Sequence, residues 1–334
     1  MTSLYKNFRE SIARRVRMHF RDKEQLEDIA YAMVQMLKLP LQQARNLARE
    51  GASQRTQLNR LPPAKNASRA LATLRSMSVP LDIPGSVRVL DLHEGNSYLL
   101  ALPFSVSALS LVSHLVRDTK RRFFIVDTRF TRYYFHPFVK AAETRERVQL
   151  ISPAAMLRQN RTQPAETAVT YVTFPDLEST SLDTARRVRF MGEDYQFSTL
   201  EALLFFRGLA PLFTFNAGDF ASTRKLKLVA YESTKVNAVT QSDVDVLLTW
   251  LAQNMEQVFR EVPADVLSWA ETHMLAYSMK ATSAVMKLKM VEGYVRAWKS
   301  ADPSFEDAKF TRSIVELQKV QETIDKDRLA AIGG

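Results

Sequence analysis

The chain predicts an α/β fold: a mostly parallel sheet with helices on both faces and helical additions at both ends. Short apolar or alternating runs, rich in β-branched and aromatic residues, recur through the middle of the 334 residues. Segments of helical character separate most of them, the pattern of strands joined by crossovers. Residues before 71 and after 272 carry helical periodicity instead.

The elements follow in order. Leu4, Phe8, Ile12, Val16 and Phe20 recur at i, i+4 among Arg9, Arg14, Arg15, Arg17 and Arg21, an amphipathic basic helix over 3–22. Such a helix either caps a core or docks on an anionic membrane surface or an acidic protein. A second helix runs over 24–38, with Leu26, Ile29, Met33 and Leu37 on one face and Pro40 ending it. The polar stretch 51–70, with Pro62 and Pro63, reads as a connector. Strands are expected at VRVLDL (87–92), FFIVD (123–127), RVQLI (147–151), AVTYVTF (168–174), APLFTFN (210–216) and KLKLVAY (225–231). Helices return over 243–260, from about 264 to 299, and over 305–329. The expected division is a helical region and connector over 1–70, an α/β domain over 71–272, and a helical region over 273–334 packed on that domain.

Composition bounds the function. With no cysteine there is no disulfide, thiolate metal site or cysteine nucleophile, and a reducing, cytoplasmic location is expected. Only nine glycines occur, and neither GxGxxG nor GxxxxGK[ST] is present, which disfavours nucleotide enzymes of those two kinds. GxSxG is also missing, and no metal-ligand spacing stands out. The formal charge is +10, and residues 1–60 hold twelve Lys and Arg against six Asp and Glu. That excess favours acidic partners, including the inner face of a membrane through 3–22. KRRFF (120–124) and RFTRYYFH (129–136) interleave bases with aromatics, but their alternation suits a core, so nucleic acid is disfavoured. Gly95 to Val116 carries no charge, yet Asn96, Pro103, five serines and His114 make it a buried helix following a strand rather than a membrane span.

His93 is the leading candidate for chemistry. The expected order is strand VRVLDL, then HEGN, then an apolar helix that Asn96 and Ser97 would cap. Sites in open α/β sheets gather outside the carboxyl ends of strands. A histidine there can take a proton from a hydroxyl or amine, although a lone histidine is equally a satisfied structural residue. His114 and Asp118, four apart, read as a helix pair, and His136 as a surface residue.

HEGN at such a junction resembles the opening of the lysophospholipid acyltransferase-like superfamily, especially its lipid A biosynthesis branch. That family carries a His-x4-Asp/Glu motif followed by a hydrophobic helix. FIVDTRFTRYYFHPF (124–138) resembles its strand and arginine, matching Arg129. TFPDLES (173–179) resembles its strand ending in Pro-Asp, matching Pro175 and Asp176, and RFMG (189–192) its Phe-Gly segment. GLAPLFTFN (208–216) and VPADVLSW (262–269) resemble its later strand and its proline before a tryptophan, so the likeness spans roughly 85–272.

The resemblance implies acyl transfer from a coenzyme A or acyl-carrier-protein phosphopantetheine thioester to a hydroxyl or amine, with His93 as general base and no other cofactor. Asn96, Arg129, Arg189 and Gly192 would contact substrate. The chain departs from the pattern at Tyr98, where the family has its acid. Either another carboxylate (Asp91, Glu94 or Asp176) orients His93, or the Tyr98 hydroxyl does, or transfer activity is lost. The alternative is a non-catalytic relative that binds an acyl carrier or lipid; a nucleic-acid binder is a third reading, which the charge alone suggests.

Overall fold

The computed structural model describes, apart from scattered positions, residues 26–59, 72–93, 95–162, 168–177, 185–208, 211–231 and 239–270. Two compact units divide the chain: Asn46–Met274, and one joining Met1–Arg45 with Leu275–Gly334. In the latter, Ile29, Met33 and Leu37 are buried on helical backbone, which stops at Lys38 with its φ of 57°. The helices expected over 3–22, 271–299 and 305–329 lie outside the described residues.

The unit Asn46–Met274 is α/β. Its strands are β1 (Tyr98–Ala101), β2 (Arg122–Val126), β3 (Val148–Ile151), β4 (Val169–Thr173), β5 (Ala185–Phe190), β6 (Glu193–Ser198), β7 (Leu212–Asn216) and β8 (Lys227–Ala230). Six of them form one sheet in the order β3-β2-β4-β1-β7-β8. It is parallel up to β7, with β8 antiparallel at the edge. Tyr98 stands opposite Thr170, and Leu99 opposite both Tyr171 and Leu212. β1 and β4 are buried at every residue, which is why they lack alternation.

The helices are α1 (Leu41–Asn59), α2 (Ile83–Asp91), α3 (Val106–Asp118), α4 (Arg129–Lys140), α5 (Pro153–Thr162), α6 (Leu200–Gly208), α7 (Phe220–Thr223) and α8 (Gln241–Glu261). No described helix is long and apolar enough to cross a membrane. The chain leaves β1 toward β2 and β3, then returns through β4 to β7. Right-handed crossovers therefore put α3 and α4 on one face, and α5 and α6 on the other. α5 packs on α6, and α8 covers β7 and β5. The connections after the adjacent strands β1 and β4 thus part to opposite faces, the arrangement that opens a crevice at their carboxyl ends.

Four expectations are corrected. VRVLDL is not a strand but lies mostly in α2, which starts from the Asp82 cap with Pro84 in its first turn. The first strand is Tyr98–Ala101, inside the run read as leading into a helix. Residues 51–59 continue α1 rather than forming a connector. Residues 264–270 are an irregular strap ending in a single 3-10 turn, Ser268–Ala270, not the start of a long helix.

The β5–β6 hairpin has no counterpart among the expected strands. Met191 and Gly192 have φ of 56° and 87°, the pair of left-handed residues that a type I′ turn needs. The Met191 amide donates to Glu256 of α8 at 2.9 Å, while Phe190 meets Phe259 edge-on.

Two arginines pin the opposite, amino end of the sheet. Arg121 donates to Thr170 Oγ1 at 3.0 Å, to the Val169 carbonyl at 3.3 Å and to the Asn96 carbonyl, with its guanidinium 4.2 Å from the Tyr98 ring centre. Arg147 donates to the Val116 and Thr119 carbonyls at the end of α3. Both satisfy carbonyls that the strand and helix ends leave unpaired. Arg121→Ala is expected to cost about 2 kcal/mol and lower the melting midpoint by about 6 °C, with Arg121→Lys recovering only part of it. An unchanged midpoint would show those bonds to be idle.

Candidate functional site

The carboxyl ends of β1 and β4 are where the fold opens a crevice, and here it is filled. After β1 the chain runs Leu102-Pro103-Phe104-Ser105 into α3. Ser105 caps that helix, its Oγ accepting the Ala108 amide at 3.1 Å. Both carboxylate oxygens of Asp176, just past β4, accept the Phe104 amide at 2.9 Å. Both of Asp265, on the strap, accept the Ser107 amide at 3.3 Å. The Val106 amide donates to the Asp265 carbonyl at 3.0 Å, and the Leu267 amide to the Phe104 carbonyl at 2.8 Å. The Val106, Ser107 and Ala108 amides, which a helix start leaves unpaired, are thus taken, one of them by a carboxylate that the helix dipole favours.

The strap is held on its outer side as well. Trp269 donates its indole N–H to the Pro263 carbonyl at 2.9 Å and packs on Phe259. A Cβ at Gly51 of α1 would lie 3.1 Å from the Ala264 carbonyl oxygen, so glycine permits this close approach. The Phe104 ring packs edge-on against Phe174, 5.2 Å between centres.

Burial governs the acids here. It pushes Asp176 up to about 6, against the Phe104 amide and the nearby Ser268 hydroxyl. Asp265 rises to about 6 for the same reason, offset by Ser107 and Ser105. Glu201, in the first turn of α6, is raised to about 7 by burial, and Asp176 adds repulsion. The Thr173 hydroxyl beside Glu201 eases its charge without a well-formed hydrogen bond to Oε2.

The residues expected to form the site do not assemble. His93 lies between α2 and β1, hence at the amino ends of the strands, and not at a carboxyl end. The length of β1, about 13 Å at roughly 3.3 Å per residue, separates that end from Asp176. Among the described residues, the His93 side chain makes a ring contact with Phe213, centres 5.2 Å apart, and no hydrogen bond. Asp176 therefore does not orient His93, nor does exposed Asp91; Glu94 lies outside the described residues.

Tyr98 is buried beneath Arg121, with its hydroxyl toward Thr170, which accounts for it without His93. Asn96 and Ser97 cap no helix: the Asn96 carbonyl receives Arg121, and Ser97 Oγ receives the Val169 amide at 3.2 Å. Arg129 opens α4 at the carboxyl end of β2, while Arg189 is exposed on the hairpin. A Cβ at Gly192 would meet nothing within 4 Å, so this glycine serves the turn through its φ of 87°. His114 does pair with Asp118, at 3.1 Å, and His136 is exposed on α4.

Asp265, Glu201 and Thr173 join the site without having been expected there. Glu201 has a signal in the sequence, a lone acid in the apolar run LEALLFF, whereas Asp265 inside VPADVLSW has none. A further groove of about 720 Å³ lies at the amino ends, where Lys120, Arg121 and Arg122 face Asp91, Asp118 and the carboxyl end of α3. Its charges largely balance. No protein-family model and no curated protein sequence matches the chain.

A raised carboxyl pKa means that the folded state holds the proton more tightly. The stability Asp176, Asp265 and Glu201 contribute is thus fully present below their ordinary values near 4 and is lost as pH rises through about 6 to 7. Exposed Asp219 and Asp243, held low by Lys227 and Thr240, act oppositely and only in acid. Asp176→Asn keeps an acceptor for Phe104 and removes the titration. Relative to wild type it is expected to gain stability from pH 5 to pH 8 in denaturant melts; parallel curves would contradict the assignment.

Proposed function

We propose that this chain is a non-catalytic protein of acyltransferase-like architecture that binds an acyl carrier or a lipid surface. The filled crevice carries this reading: Phe104, two buried carboxylates and the 262–269 strap occupy the place where the fold would seat substrate. The family pattern puts its histidine at the junction before a hydrophobic helix and its acid five residues on. The helix here is α3, so that junction is Leu102–Ser105, and neither it nor 106–110 holds a histidine or an acid. Both members of the motif are then missing, a larger departure than Tyr98 alone. The chain's excess of positive charge suits an acidic carrier or anionic lipid.

The competing reading is acyl transfer with His93 as base. Incubation with acyl-coenzyme A and acyl-carrier thioesters separates the two. Thioester loss is expected to stay at the spontaneous rate in wild type and in His93→Ala, while acyl carrier or anionic vesicles are retained at low salt and released at high salt. Turnover by wild type that His93→Ala abolishes would restore the enzyme. No retention of either partner would remove the binding role.

A further inference from the structure

The groove at the amino ends of the strands holds about 720 Å³, within the size of small-molecule sites. Buried Leu90, Tyr98 and Leu115 form its apolar lining, while exposed Asp91, Lys120 and Arg122 line it with charge. Those charges balance in total but not pair by pair. Asp118 is held by His114 at 3.1 Å and by Arg117 at 3.4 Å. Arg121 is spent on Thr170 and on the Val169 and Asn96 carbonyls. Among the described residues, Asp91, Lys120 and Arg122 have neither a hydrogen bond nor an ion pair through their side chains. Two cations and one carboxylate thus line a single groove without satisfying one another.

We propose that this groove binds a phosphate group joined to an amine, the chemistry of phosphoethanolamine, with Lys120 and Arg122 on the phosphate and Asp91 on the ammonium. A phosphate brings up to two negative charges and several acceptor oxygens, which suit a lysine and an arginine fork together. An ammonium brings three donors, and a carboxylate is an acceptor of opposite charge. The apolar lining suits the carbon chain between the two charged ends. A bare anion would meet Asp91 as a like charge, and a bare amine would meet Lys120 and Arg122, so the groove selects against both. The same carboxylate disfavours a nucleic-acid backbone, which offers phosphates without cations. A metal ion has too few ligands here, since no group of three ligating side chains occurs among the described residues.

The site stands whether or not the chain binds an acyl carrier or an anionic surface. Two sources offer this group, a soluble phosphoamine and the head of a phospholipid, and the test separates them. The full chain is titrated calorimetrically at pH 7.5 with O-phosphoethanolamine, inorganic phosphate and ethanolamine. O-phosphoethanolamine is expected to bind saturably and about tenfold or more tighter than either of the others. Asp91→Asn should remove that advantage and leave phosphate affinity no weaker, while Lys120→Ala with Arg122→Ala should weaken both ligands. All three positions are exposed, so these variants are expected to fold. Flotation with neutral phosphatidylcholine vesicles, with and without phosphatidylethanolamine, then assigns the source. Retention that needs phosphatidylethanolamine and is lost in Asp91→Asn assigns the lipid head; no retention beside tight soluble binding assigns the free phosphoamine. O-phosphoethanolamine binding no tighter than phosphate, or an equal loss of both ligands in Asp91→Asn, would overturn the proposal even if anionic vesicles or an acyl carrier are retained.

Discussion

Two carboxylates set against the start of α3 organise the carboxyl side of this protein. Asp176 reaches the Phe104 amide from β4, and Asp265 reaches the Ser107 amide from the strap. Each is buried, so each carries a desolvation cost that only hydrogen bonds and the helix dipole offset. Together they tie three stretches distant in sequence: 102–108, 174–177 and 262–269. Phe104 is thereby fixed against Phe174, and Asp176 lies near enough to Glu201 to repel its charge. An arrangement that would elsewhere surround a substrate is closed by the protein's own chain.

The two ends of the sheet are tied by opposite kinds of side chain, and the backbone explains why. At the amino ends, strand and helix carbonyls lack partners, and Arg121 and Arg147 supply donors. At the carboxyl ends, amides at and just before the helix start lack partners, and Asp176 and Asp265 supply acceptors. His93 belongs to the amino end, among residues whose interactions are accounted for by packing on Phe213 and by the arginine pins. It stands where a base would stand only if the first strand is placed ten residues too early.

That misplacement shows what the sequence could and could not convey. Five of the six strands of the main sheet and the α/β class were legible, because β-branched and aromatic runs of five or so residues are bounded by polar turns; β1 and the β5–β6 hairpin were not. VRVLDL alternates like a strand, yet Asp82 and Pro84 before it are a helix start, and the residues α2 buries, Ser86 and Leu90, lie four apart. YLLA is buried on both faces and merges with the apolar helix that follows, so only Pro103 marked the break. Asp176 was singled out as a partner for His93, and its actual contacts were not legible: Phe104 lies 72 positions away, and the Ser107–Asp265 contact spans 158. Such contacts leave no periodic trace in one sequence.

The claim on which the rest turns is that the crevice at β1 and β4 is shut in the native protein. Hydrogen exchange of the amides of Phe104, Ser107 and Leu267 measures this directly. If the strap and the two carboxylates close the crevice, these amides exchange only with global unfolding, as slowly as those of β1 and β4. Rapid exchange at 104–107 and 262–269 beneath a protected sheet would mean that the crevice opens, and would contradict the account.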